Sequence, residues 1–316
     1  MIRAARFVGA ALMTLGATAA SAECDGGRAT RMAAALEDGF GVQYWGEGYD
    51  ADTLAAAPHG LLIVEAARIG APDSADGHEV LFTPDEMRRI NHDGARPVLV
   101  YLNLTEVEPW RDYWPDDGST PVWVGPETAS GDKLAAFWRP EWEALLRDRV
   151  RRLLATGADG LFLDDALNYF AAGSMAPGGS GAPADVPGAA RTLMALVQSV
   201  ASEARTIDCD ALIVMNNGVF LGRDAGPASA GAFRAVTDAV DGILVEDALG
   251  GADHPDLHAA LTEDWSVAGV PILTIDYAGA GAAVALADRA RRRGYRPYIV
   301  PNGAFSQLFL SRPLTR

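Results

Sequence analysis

Gly157-Ala-Asp159-Gly-Leu-Phe-Leu-Asp164-Asp165-Ala-Leu-Asn-Tyr169 is an apolar run that ends abruptly in two carboxylates, and it reads as a short buried strand with acid at its tip. Asp241-Gly-Ile-Leu-Val-Glu246-Asp247 repeats the pattern: Asp-Gly, three apolar residues, an acid, then Asp. Charged groups at the ends of apolar strands are costly to place unless they are solvated, paired or used. Two strands that deliver an acid in the same phase therefore mark Asp164 and Glu246 as a candidate catalytic pair.

Working outward, apolar runs recur at Val42 to Gly46, Leu61 to Ala66, Pro97 to Leu104, Gly160 to Asp164, Ala211 to Asn217, Gly242 to Glu246, Pro271 to Tyr277 and Arg296 to Pro301. Their near-continuous Val, Ile and Leu content without polar alternation suits parallel strands covered on both faces. Helical patterns separate them. A capping box with proline at the first position, Thr83-Pro84-Asp85-Glu86, opens a helix to about Asn91. Pro140 to Leu154 carries apolar residues at helical spacing and a basic last turn. Further helices are expected over 29–37, 189–205, 228–240, 255–267 and 281–293. Eight β/α units in one run predict an α/β fold, a single (β/α)₈ TIM barrel over residues 23–316 with the active site at the C-terminal ends of the strands. The helix before the first strand is expected to stand in for the one missing after the eighth.

Residues 1–22 have the layout of a secretory signal peptide: Arg3 and Arg6, an apolar stretch from Phe7 to Ala20, and Ala20-Ser21-Ala22 before Glu23. The expectation is a secreted or periplasmic protein with no stable membrane insertion after cleavage. Of the 26 Lys+Arg, those two arginines leave with the leader, so 24 face 42 Asp+Glu, a net charge of 24 − 42 = −18. That balance argues against nucleic acid as a partner and suits a cationic substrate as well as a generally acidic soluble protein. Cys24 and Cys209 either pair or remain two thiols. Nothing indicates the oligomeric state.

In a (β/α)₈ barrel, inward side chains form layers contributed by alternate strands. Asp164 ends strand four and Glu246 strand six, so if Phe162 and Leu244 point inward, the two acids face the same space. Glycosidic cleavage needs such a pair: one acid protonates the leaving oxygen while the other carboxylate attacks the anomeric carbon or activates water. Glu246 is the expected proton donor, because Asp247 and the strand-seven Asp276 place further negative charge near it, which favours its protonated form.

These residues resemble glycoside hydrolase family 114, the endo-α-1,4-polygalactosaminidases, and related bacterial barrels. The likeness runs through Tyr44-Trp45-Gly46, the segment Val100-Tyr101-Leu-Asn103-Leu-Thr105-Glu106-Val-Glu108-Pro-Trp110-Arg111-Asp-Tyr113-Trp114, the Asp164 and Glu246 strands, and Thr274-Ile-Asp276-Tyr277-Ala278. What the resemblance implies is an endo-acting hydrolase of α-1,4-linked galactosamine or N-acetylgalactosamine polymers. Asp164 matches the nucleophile and Glu246 the acid/base, with retention as the outcome. Tyr44, Trp45, Tyr101, Asn103, Glu106, Arg111, Trp114, Asp165, Asp276 and Tyr277 are the expected substrate-binding residues. Asp165 and Leu167 stand where fungal relatives have Asn and a further Asp, and Thr105 stands where Gly is usual.

Trp110, Tyr113, Trp114 and Trp123 read either as a sugar-stacking wall or as an aromatic mini-core under their loop. Glu106 and Arg111 read either as orienting groups or as each other's ion-pair partners. His254 and His258, four apart at a helix start, lack a visible third ligand, and Gly279-Ala-Gly281 lacks a Rossmann context, so neither a metal nor a cofactor is expected. The low-complexity segment 171–188 reads as a mobile loop or a lid. Two alternatives stay open: a non-catalytic carbohydrate-binding barrel in exopolysaccharide assembly or export, and a hydrolase of another α-linked sugar.

Overall fold

The structure, a computed structural model, describes residues 27–310 apart from 47, 69–78, 109, 116, 128–132, 175–180, 228–230 and 252–253. The leader-like residues 1–22 and Cys24 lie outside the described residues, as does part of the 171–188 segment. Cys209 is disulfide-bonded. Among the described residues no helix is long and apolar enough to cross a membrane.

Eight parallel strands form one sheet in chain order: β1 Phe40–Gln43, β2 Leu61–Val64, β3 Val98–Asn103, β4 Gly160–Asp164, β5 Leu212–Asn216, β6 Gly242–Glu246, β7 Ile272–Tyr277 and β8 Arg296–Val300. Helices lie between them, and the sheet curls into a nearly closed (β/α)₈ barrel. Alternate residues of each strand divide between two apolar clusters. Val42, Ile63, Leu99, Phe162, Val214, Leu244, Ile275 and Tyr298 fill the interior. Leu62, Val100, Leu161, Ile213 and Val245 pack outward against the helices. This two-sided burial is why the strands are almost continuously apolar in sequence.

Pro140–Leu154 is helical as expected, burying Trp142, Leu146, Val150 and Leu153 along one face, and the Thr83/Glu86 capping box forms. Of the expected 228–240 helix, the described residues show Ala232–Thr237; a further short helix that was not expected, Leu221–Ala225, precedes it and stops at Gly226-Pro227. Pro255–Ala260 continues as a π-helix over Leu261–Ser266.

The helix Gly27–Ala35 does not replace a missing eighth helix; it closes the floor of the barrel. Met32 joins the interior cluster. Arg28 Nε donates to Asp241 Oδ1 at 3.0 Å, and Arg31 pairs with Asp159. Asp159 and Asp241 open the two copies of the Asp-Gly repeat, so the repeat has a structural end on the floor and an acidic end at the mouth. The glycine of each copy is required by close approach. A Cβ on Gly160 would lie 1.9 Å from the Leu212 carbonyl oxygen, and one on Gly242 would lie 2.9 Å from Met32 Cε.

The seam between β8 and β1 is bridged by the chain's own tail. Tyr44 N donates to Phe305 O (2.9 Å), Gln43 Nε2 to Ser306 O (3.2 Å) and Phe309 N to the Tyr298 hydroxyl (2.9 Å). The rings of Phe40 and Tyr298 meet across the same seam at 5.4 Å.

Candidate active site

Strand pleating carries the interior phase up to the mouth. Above Val42, Leu99, Phe162, Val214, Leu244 and Ile275, the next inward positions at or beyond the strand ends are Tyr44, Tyr101, Asp164, Asn216, Glu246 and Tyr277. Phe162 and Leu244 are both interior, so Asp164 and Glu246 do face one space.

Asn216 joins the two acids. Its Nδ2 donates to Asp164 Oδ1 at 2.7 Å and to Glu246 Oε1 at 2.9 Å, so those oxygens are no further apart than the sum of the two distances, about 5.6 Å. Asp164 Oδ1 also accepts the Asp165 N–H at 2.8 Å. Tyr277 donates its hydroxyl to Glu246 Oε2. Asn216 is not among the expected site residues, because an uncharged amide at a strand end carries no charge to mark it. The available signal was its phase: it ends β5 as Asp164 ends β4 and Glu246 ends β6.

The residue after each of these three is left-handed: Asp165 at φ 59°, Asn217 at φ 61° and Asp247 at φ 49°. Asn and Asp tolerate that region better than other side chains, which is why Asx residues recur here. At Asp165 the turn aims its N–H at Asp164. At Asn217 it lets Oδ1 accept the Glu246 N–H at 3.3 Å.

Burial raises the Asp164 carboxyl, the Glu246 charge adds to the shift, and the bonds from Asn216 and the Asp165 amide oppose it. Asp165 is raised to about 9 by burial and by the charges of Asp164 and Glu106. Tyr44 and Tyr101 are raised well above the usual phenol, first by burial and then by Asp164. Their rings meet at 5.1 Å and 65°. Trp45 stands beside Tyr44 with 49% of its surface exposed at the mouth. Asn103 donates to the Tyr101 hydroxyl at 3.0 Å and to Asp165 Oδ2 at 2.5 Å, while its own oxygen accepts the N–H groups of Thr105 and Glu106. Glu106, half-buried, accepts from Asn168 Nδ2 at 3.2 Å.

Three expected substrate contacts are placed elsewhere. Asp276 sits on the opposite face of β7 from Ile275 and Tyr277. Fully buried, it accepts the Leu249 N–H at 2.6 Å and pins the loop after β6, so it does not stand beside Glu246 in the barrel. Arg111 is 3% exposed and pairs not with Glu106 but with Glu108 (2.7 Å), Glu79 (2.7 Å) and Glu65 (2.8 Å). Its fork is fully used within the protein. Trp114 belongs to a mini-core: its ring lies 5.5 Å from Trp123, which packs at 5.3 Å on Trp142, and its Nε1 donates to Glu108 O.

His258 is buried with Nδ1 3.1 Å from the Tyr295 hydroxyl, away from His254 at the helix start. Among the described residues, the group spaced to hold a metal is Asp208, Cys209 and Asp210 on the floor, where Cys209 is disulfide-bonded.

No family model matches the chain. It is 28% identical over 291 residues to an uncharacterized protein of Deinococcus radiodurans, covering 86% of this chain and 84% of that one. An uncharacterized protein of Thermotoga maritima is 29% identical over 152 residues, 46% of this chain and 44% of that protein. Among solved structures, the glycoside hydrolase domain of PelA from Pseudomonas aeruginosa superposes with a TM-score of 0.58 at 19% identity, covering 85% of this chain and 96% of that domain. Ega3 from Aspergillus fumigatus, in complex with galactosamine, superposes with a TM-score of 0.57 at 12% identity, covering 84% and 91%. At such identities the likeness is one of fold.

Proposed function

We propose that this protein is an exported glycoside hydrolase that cuts within α-1,4-linked galactosamine or N-acetylgalactosamine polysaccharide by a retaining, two-carboxylate mechanism. The observation that carries the reading is the Asp164–Asn216–Glu246 bridge. It holds two carboxyl groups at the strand ends with their nearest oxygens within about 5.6 Å, closer than the roughly 6.5–9.5 Å that leaves room for an attacking water.

Asp164 is the nucleophile. Its two N–H bonds fall on Oδ1 and favour the charged form, leaving Oδ2 to attack the anomeric carbon. Glu246 protonates the leaving glycosidic oxygen and later takes a proton from the water that releases the sugar. Trp45 at the mouth offers a flat apolar face to a sugar ring. The fold shared with the PelA glycoside hydrolase domain and with galactosamine-bound Ega3 supports this substrate class, and the leader-like residues 1–22 support export. Cleaving the polymer with the parent enzyme while following the first-formed anomer by NMR tests the mechanism: an α product is expected, and a β product would overturn retention.

A further inference from the structure

The carboxyl of Asp165 has no obvious task in the scheme above, although its backbone is committed. Its N–H serves Asp164, and its carbonyl oxygen accepts the Thr105 hydroxyl at 2.8 Å. Among the described residues its half-buried side chain takes one donor, Asn103 Nδ2 at the end of β3. From β4 it faces Asp164. From the segment after β3 it faces Glu106 and Glu108; the Tyr101 hydroxyl shares the Asn103 amide with it, and the Arg111 guanidinium lies 5.6 Å from the Tyr101 ring. That guanidinium is taken up by Glu65, Glu79 and Glu108. Asp165 thus lies among carboxyl groups, and the Arg111 guanidinium is already paired with other acids.

Adjacent buried carboxyl groups do not all ionise together; the one with the fewest donors keeps its proton. Among the described residues Asp164 receives the Asn216 and Asp165 N–H groups and the Tyr101 hydroxyl, whereas Asp165 receives the Asn103 amide alone. Resting on the two-carboxylate reading of Asp164, we infer that Asp165 is a positioning residue that works as a neutral carboxylic acid: it fixes Asn103 and the Asp164 turn, and its ionisation switches the site off at alkaline pH. The rise of this group to about 9 fits that role. A negative Asp165 would repel the Asp164 carboxylate and favour its protonated, non-nucleophilic form.

Asn is the informative replacement, because it keeps a planar hydrogen-bonding group, cannot ionise, and accepts the left-handed φ of 59°. Two readouts separate this inference from the hydrolase reading. The first is the carboxylic-acid C=O stretch in the infrared spectrum of the mature protein at pH 7.5, compared with D165N. A band present in the parent and lost in D165N is expected; identical spectra would overturn the inference. The second is the pH profile of kcat on the galactosamine polymer. The parent is expected to lose activity through an alkaline limb near 9, and D165N to carry that limb at least tenfold lower in proton concentration. An unmoved limb would overturn the role even with the band present. If the parent cuts no polymer, the hydrolase reading fails, while the infrared comparison still decides whether Asp165 is held neutral.

Discussion

Asn216 Nδ2 lies 2.9 Å from Glu246 Oε1 while the same nitrogen donates to Asp164 at 2.7 Å. One amide on β5 therefore sets the spacing of two acids from the flanking strands. N216A removes the bridge and frees both carboxyl groups to drift apart. A misplaced or unstabilised reacting pair costs on the order of 10²-fold in rate. The expectation is a loss of that size in kcat with little change in KM, measured on purified protein whose circular dichroism matches the parent.

Arg111 answers to stability rather than to substrate. Burial works against its charge, but Glu65 and Glu108 outweigh that effect and hold it protonated. R111A would leave several buried carboxylates without their partner, at a cost of about 3–5 kcal/mol. Chemical denaturation should show that loss, and R111K should recover only part of it, since an ammonium cannot reproduce the fork. A fully stable R111A with raised KM would instead return Arg111 to the substrate.

The repeat's two ends predict opposite phenotypes. Asp159 accepts from Arg31, from Asn91 Nδ2 at 3.1 Å and from the Val98 N–H at 3.1 Å. D159A leaves buried donors unpaired and should destabilise by about 2–4 kcal/mol in a urea melt. Changing Asp164 should act on turnover instead. Equal effects of both substitutions on stability would contradict this division.

Stability should fall as pH rises from about 4.5 toward 9. Glu108 is raised from its ordinary 4.5 to about 7, first by burial, because the Arg111 beside it is shared with Glu65 and Glu79. Asp165 is raised from 3.8 to about 9. Between each pair of values the folded chain holds a proton the unfolded chain has lost, so each contribution is full below the lower value and drains away up to the higher one. Glu79 acts in the other direction. Burial opposes its ionisation, but Arg149 and Arg111 outweigh burial and lower it, so its contribution is present above 4.5 and lost on acidification. Unfolding free energies from pH 4.5 to 9.5 should fall as pH rises, with the slope above about 7 carried by Asp165 and reduced in D165N.

The eight strands were legible in the sequence because two-sided burial writes parallel strands as unbroken apolar runs, and β4 and β6 fall on their expected residues. What was not legible depends on partners distant in the chain or on strand phase. Arg111 read as a substrate contact or as the partner of Glu106, because its buried partners Glu65 and Glu79 precede it by a long stretch of sequence. Asp276 shares a motif with Tyr277, but neighbouring residues on a strand face opposite ways, so only Tyr277 reaches Glu246. The floor helix was misplaced because nothing local to Arg28 and Arg31 announces their pairing with Asp241 and Asp159.

The most direct test is reducing-end release from partially deacetylated α-1,4-galactosaminogalactan by protein lacking residues 1–22, beside D164N and E246Q. The account predicts cleavage by the parent and a loss of about 10²–10⁴-fold in each folded variant. A parent that leaves the polymer intact, or variants that cut it as fast as the parent, would contradict it.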